Sequence, residues 1–189
     1  RDHAFPTKPV RSALVVTAKR MDPRAVEAKA AKGMAVITVP ENRWERVDIK
    51  TIGLLPNVLA KQAAVEAGAG EAWFVDPDGT VKEGASTNAW IVTKDGSLVT
   101  RPADHGILRG ITRATVMKVA DKLGLRVEER VFSVEEAQAA REAFVTSATS
   151  LVSPVVSING KPVANGHPGS VARSLREAFF EIAEKSPTC

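Results

Sequence analysis

EAWFVDPDGTVKEGASTNAWIVTKDGSLVT, residues 71–100, decides the fold. Glu71–Val75, Ala89–Thr93 and Ser97–Thr100 are short runs rich in β-branched and aromatic residues, joined by DPDG and KDG turns. Strands separated only by turns build a sheet from hairpins, not a doubly wound parallel sheet. Upstream, Met34–Val39 predicts a buried strand, and Pro56–Ala67 an Ala-rich helix opened by proline and closed near Gly68 and Gly70. Downstream, Thr112–Leu123 places Val116, Val119, Ala120 and Leu123 on one helical face, ended by Gly124. Arg126–Val131, Ala143–Thr146 and Val155–Ile158 predict strands, and Asn159-Gly160 a tight hairpin turn. Ser133 and Glu136 have the spacing of a capping box. Pro168–Glu184 predicts an amphipathic closing helix, with Val171, Leu175, Ala178, Phe179 and Ile182 inward. At the start, residues 1–9 read as loop, Ser12–Thr17 as a strand and Lys19–Arg24 as a linker. The pattern is α/β (α+β): a sheet-rich core with packed helices.

Composition narrows the function. The 189 residues are 44% hydrophobic and 25% charged, as in an ordinary soluble domain. A scattered net charge of +4, 5% aromatics and no Tyr argue against a nucleic-acid surface. The single cysteine, Cys189, excludes an internal disulfide framework, and no Cys/His cluster has metal-ligand spacing. No apolar run is long enough for a membrane helix and no signal peptide is visible, which points to the cytoplasm. No GxGxxG follows a strand, and no GxSxG elbow is present. Because the chain starts at Arg1 rather than Met, it is expected to be processed or part of a longer polypeptide.

Four stretches have chemical potential. Lys50, in DIKTIGLLPN, stands where a lysine can point inward from a strand end; burial lowers a lysine's pKa and frees the amine to form a Schiff base. Glu83 leads into Gly84, Ala85, Ser86, Thr87 and Asn88, small residues that let backbone approach a flat ligand. GILRGITR, residues 106–113, puts glycines and Thr112 at a helix start, where backbone N–H groups bind anions. TSATS, residues 146–150, sets small hydroxylated residues at a strand end. Singly, each has an ordinary alternative: a surface lysine, a polar hairpin, a helix cap, a turn.

Their joint order carries more. DIKTIGLLPNVLAKQ, EGASTN, ILRGITR and FVTSATS-x-x-SP, in this order and approximate spacing, resemble fold-type IV (class IV) pyridoxal-phosphate aminotransferases over essentially the whole chain. Within that family the chain most resembles the D-amino-acid aminotransferase branch, because Arg1-Asp2-His3-Ala4-Phe5-Pro6 is similar to its R-x-H-x-F-P segment. Leu55 stands where the branched-chain branch usually has a Tyr against the cofactor ring.

The resemblance implies a function. Lys50 would bind pyridoxal 5′-phosphate as a Schiff base and shuttle the substrate proton, while Glu83 would pair with the pyridinium nitrogen. Ile111 and Thr112, with Ser147 and Ala148, would hold the phosphate; Ser86 and Thr87 would lie near the ring or Glu83. Arg1 and His3 would engage the substrate carboxylate. Ala148 departs from the family, whose members commonly carry a Thr there. The implied reaction is transamination between a D-amino acid, such as D-alanine, and a 2-oxo acid. The alternatives are an aminodeoxychorismate-type lyase, a branched-chain L-aminotransferase and an inactive fragment. The implied assembly is a homodimer without nucleic acid, membrane or metal. Residues 1–21 would be the last loop and strand of an otherwise missing N-terminal domain, itself an expected partner, and 22–189 the C-terminal cofactor-binding domain. Outside the match, His105 reads as a solvated loop residue, Lys61 as solvent-facing, and Trp44, Trp73 and Trp90 as sheet packing.

Overall fold

The computed structural model describes residues 3–182. Among the described residues five helices, α1 (Pro23–Lys32), α2 (Leu55–Glu66), α3 (Ile111–Lys122), α4 (Val134–Ala139) and α5 (Ser170–Ile182), accompany nine strands. The strands are β1 (Met34–Pro40), β2 (Glu71–Val75), β3 (Val81–Gly84), β4 (Asn88–Val92), β5 (Leu98–Thr100), β6 (Val127–Glu129), β7 (Glu142–Ser147), β8 (Leu151–Ile158) and β9 (Lys161–Pro162). They form one mixed sheet in the order β3-β2-β1-β8-β7-β4-β5-β6, with β9 paired to β8. The hairpin-like pairs β2–β3, β4–β5 and β7–β8 are antiparallel, whereas β1 runs parallel to both β2 and β8, and β5 parallel to β6.

Both sheet faces are covered, so the central strands read as continuous apolar runs. Side chains alternate along β4: Ala89 and Ile91 enter one core with Trp73, Val145 and Ile158, while Trp90 and Val92 enter a second beneath α3 and α5. Trp90 lies opposite Phe144 in the register and stacks on it, ring centroids 5.5 Å apart. A third cluster packs Ala60 and Ala64 of α2 against Ala72 and Phe74 of β2.

Local chemistry places most boundaries. Asn159 (φ +51°) and Gly160 (φ +76°) make the β8–β9 turn, and Asn159 also bonds Thr38 through Oδ1 and Nδ2 at 2.8 Å each. Ser133 caps α4 by accepting from the Glu136 N–H at 3.1 Å, but the reciprocal half of the box is missing, because Glu136 binds Arg130 instead. Three elements differ from expectation. Residues 12–17 are not a strand: Leu14, Val15 and Val16 are 88%, 83% and 82% exposed, and no neighbouring strand among the described residues pairs with them. The expected linker ends in a helix, α1, which Asp22 starts by accepting from the Arg24 N–H at 2.9 Å, with Pro23 in the first turn. Val81–Gly84 adds a strand, β3.

The start of α5 is capped from the sheet. Glu142, buried on β7, accepts from the N–H groups of Val171 (3.0 Å) and Ala172 (2.9 Å), two donors that a helix leaves open. A Cβ on Gly169 would collide with the same carboxyl. Glu142→Ala is therefore expected to cost about 1–2 kcal/mol in urea denaturation, and Glu142→Gln less. Gly169→Ala is expected to destabilise because the cap has to move; wild-type stability in that variant contradicts the cap.

Candidate active site

The register brings three of the sequence motifs to one end of the sheet. Asn88, at the start of β4, lies opposite Thr146, near the end of β7, so EGASTN and TSATS become neighbours. The loop 101–110 then returns to the same end and starts α3. Between them and the irregular segment 41–54 lies a cavity of about 1010 Å³. Lys50, Glu83, Ser86 and Thr87 line it; so do Ile111 and Thr112 at the start of α3, Ser147 at the end of β7 and Ala148 just beyond it.

Glu83 is the most constrained group of the site. Its carboxylate is buried, with Oε1 accepting from Arg43 Nη1 at 2.7 Å. Oε2 accepts from Asn88 Nδ2 at 2.9 Å and from the Leu108 N–H at 3.1 Å. Arg43 also binds Glu41, with Nη2 to Oε2 at 2.7 Å, and lies over the Phe74 ring. Burial pushes the Glu83 carboxyl up to about 7, and the charge and hydrogen bonds of Arg43 and the Leu108 N–H pull against it without prevailing. The three partners are N–H donors, so none accepts a hydrogen bond from a protonated Glu83. Burial favours the neutral acid, therefore, while the donor set favours the carboxylate. A cation or N–H donor arriving from the cavity tips the balance to the ion.

The start of α3 suits an anion. Gly110 is the N-cap residue of α3 and no side chain caps the helix, which leaves its first-turn N–H groups for a ligand. Any Cβ at Gly110 would run into Asn88 Oδ1, so the close approach of loop and strand requires glycine. Thr112 is buried beside these N–H groups. Thr87 Oγ1 is buried without a protein partner. One acid, one uncapped helix start and a free hydroxyl around a single cavity suit a flat ring with a basic nitrogen at one edge and a phosphate at the other.

Other expectations change. Lys50 is exposed, not buried, and sits on a segment with neither strand nor helix, where Ile49 and Ile52 are also uncovered. That segment is tied to the 101–110 loop through Asp48, which binds Arg46 (2.9 Å from Nε) and His105 Nδ1 (3.3 Å). Leu55 is exposed on α2 and does not line the cavity; its neighbour Leu54 does. His3 is exposed and outside the lining, and Arg1 lies outside the described residues. Trp44 lines the cavity instead of packing in the sheet, whereas Trp73 and Trp90 are fully buried. Lys61 donates to the Gly70 carbonyl (2.5 Å) and to the buried Glu71 (3.3 Å). The residues that sequence reasoning missed are Arg43 and Asn88. Asn88 stood inside a quoted motif without a role, and nothing local distinguished Arg43.

The position of Glu83 has a consequence for stability. A carboxyl whose pKa rises on folding binds its proton more tightly in the folded chain, so stability falls as pH climbs from the ordinary 4.5 to about 7. Without ligand, Glu83→Gln is expected to abolish this slope. Its stability relative to the native chain should rise by up to about 3 kcal/mol across the window, read by urea denaturation at stepped pH. A difference that stays flat with pH contradicts the burial argument.

The comparisons with known proteins agree with the geometry. The chain is 39% identical over 184 residues to the D-alanine aminotransferase of Staphylococcus aureus, covering 97% of this chain and 64% of that protein. The corresponding Staphylococcus haemolyticus enzyme is 40% identical over the same coverage. The chain thus spans less than two-thirds of the length of these curated relatives. Among solved structures, the T.th. branched-chain amino acid aminotransferase with pyridoxamine 5′-phosphate superposes with a TM-score of 0.73 at 34% identity, covering 80% of this chain and 52% of that one. The Escherichia coli branched-chain amino acid aminotransferase gives 0.70 at 31% identity, with the same coverage. The family model for amino-transferase class IV matches residues 2–158, and the chain belongs to that family.

Proposed function

We propose that this chain is the cofactor-binding part of a pyridoxal 5′-phosphate-dependent transaminase that moves an amino group between a D-amino acid, such as D-alanine, and a 2-oxo acid. One observation carries the reading: Lys50, Glu83 and the uncapped start of α3 surround one cavity. The relatives named D-alanine aminotransferase support the substrate class.

Bound there, pyridoxal phosphate supplies an electron sink for the negative charge that develops at the substrate Cα. The protein residues do the rest. Lys50 Nζ would hold the cofactor covalently and would also be the base that moves the proton at the substrate Cα. Its exposure on the cavity wall leaves it free to swing between the two positions. Glu83 would accept the hydrogen bond of the ring N–H, and Arg43, Asn88 and Leu108 bias it to the ionised state that this requires. The N–H groups of Ile111 and Thr112, the Thr112 hydroxyl, Ser147 and the Ala148 N–H would bind the phosphate. Thr87 Oγ1, buried without a partner, offers a further donor to the cofactor, with Ser86 beside it.

We also assign a homodimer, which the exposed apolar face of α2 (Leu55, Val58, Leu59) supports, and a cytoplasmic location, in keeping with the single cysteine. No helix of the described residues is long and apolar enough to cross a membrane. The exposure of Leu14, Val15 and Val16 supports placing residues 1–21 in a different unit from the rest.

Borohydride treatment of the protein loaded with pyridoxal phosphate is expected to fix the pyridoxyl group on Lys50, and peptide mapping reads the position. Label on another lysine refutes the role. Lys50→Ala is expected to lower turnover by at least about 10²–10⁴-fold. D-alanine is expected to serve as amino donor in preference to L-alanine or L-leucine. The similar branched-chain enzymes make the reverse preference the competing reading, and an assay of both enantiomers separates the two.

A further inference from the structure

The turn that carries Ser147 and Ala148 is held from outside the cavity by one guanidinium. Arg176, buried on α5, donates Nη1 to the carbonyls of Ser150 (2.6 Å) and Val152 (2.8 Å). Its other edge is gripped by Glu27 of α1, with Nη2 to Oε1 at 2.5 Å and Nε to Oε2 at 3.1 Å. Ser153 Oγ donates to the same Ser150 carbonyl at 3.2 Å. Within the turn, Ser147 Oγ and Ser150 Oγ share a hydrogen bond of 2.6 Å, and the Ser150 N–H donates to Ser147 Oγ at 3.2 Å.

This bonding surrounds a strained residue. Leu151 has φ +56°, a left-handed conformation unfavourable for any residue with a Cβ. Such a residue persists where its surroundings over-determine it, and the Arg176 bonds to Ser150 and Val152 fall on either side of it. Arg176 does not line the cavity, so whatever it contributes there passes through the turn. A planar fork is the side chain suited to the task, since it spans two carbonyls on one edge and a carboxylate on the other.

We propose that Arg176 is a positioning residue for cofactor binding: locked by Glu27, it holds the 147–150 turn, against the strain at Leu151, in the shape that presents Ser147 and Ala148 to the phosphate. The inference rests on the reading of the cavity as a pyridoxal phosphate site and deepens it. Arg176 touches neither ring nor substrate, so its loss acts on affinity for the phosphate-bearing ligand and not on ring recognition by Glu83.

The test titrates the full polypeptide, freed of cofactor, with pyridoxal 5′-phosphate and separately with pyridoxal, following quenching of Trp44 at the cavity wall. Arg176→Met is expected to raise the Kd for pyridoxal 5′-phosphate by about tenfold or more and that for pyridoxal by less than about twofold. Leu151→Gly, added to Arg176→Met, is expected to restore part of the loss, because glycine holds the positive φ without help. Glu27→Gln is expected to act in the same direction as Arg176→Met, by about threefold, and decides the matter alone if circular dichroism shows Arg176→Met unfolded. Equal losses for both ligands, or an unchanged preference for the phosphorylated one in a folded variant, overturn the role of Arg176. A native protein that binds the two ligands equally overturns the reading of the cavity, and this inference with it.

Discussion

The buried ion pair between Arg43 and Glu83 is the constraint around which the site is organised. A carboxylate removed from water on the sheet would discard its charge unless something opposed the loss. Arg43 opposes it from one side and is itself held by Glu41 and the face of Phe74. Asn88 and the Leu108 N–H oppose it from the other. The outcome is an acid near the middle of its titration at neutral pH, aimed at a cavity. Such a group responds strongly to what the cavity holds: a further N–H donor there adds the stabilisation of the ion that the protein leaves short.

Asn88 ties this acid to the start of α3. Its amide Nδ2 donates to Glu83 and to the Leu108 carbonyl, and its Oδ1 packs where a side chain on Gly110 would stand. The spacing from acid to helix start therefore depends on one short side chain at the beginning of β4. The same residue faces Thr146 across the sheet, and Thr146 accepts from Trp90 Nε1 at 3.1 Å. Core packing, strand register and the cavity lining are thus joined through Asn88 and Thr146.

Around this fixed centre, the other walls differ in stiffness for a reason visible in their contacts. The 147–150 turn is braced by a buried arginine and serine hydroxyls. The segment bearing Lys50 is anchored at its start by Arg43 on Glu83; nearer the lysine, Asp48, whose carboxyl Arg46 and then His105 hold below the usual carboxylate range, joins it to the 101–110 loop, and Ile49 and Ile52 face solvent. Lys50 thus sits on the more loosely held wall, and Ser147 and Ala148 sit on the braced one.

The amino-acid sequence by itself determined most of the elements and several of the residues that line the cavity. The helices at Pro56–Ala67 and Thr112–Leu123, the strands around the DPDG and KDG turns, and the Asn159-Gly160 hairpin are written in local signals that act over a few residues. The same holds for Lys50, Glu83, GITR and TSATS, because small residues beside a functional group leave a mark on the sequence. What only the tertiary structure decided is who meets whom. Arg43 reaches Glu83 across forty positions, Arg176 reaches Glu27 across nearly one hundred and fifty, and Glu142 caps a helix thirty residues ahead. The expected strand at 12–17 failed for the same reason: β-branched residues promise a strand, but a strand forms only where an edge is there to pair with it. Long-range hydrogen bonds and burial have no local period, so no window of sequence contains them.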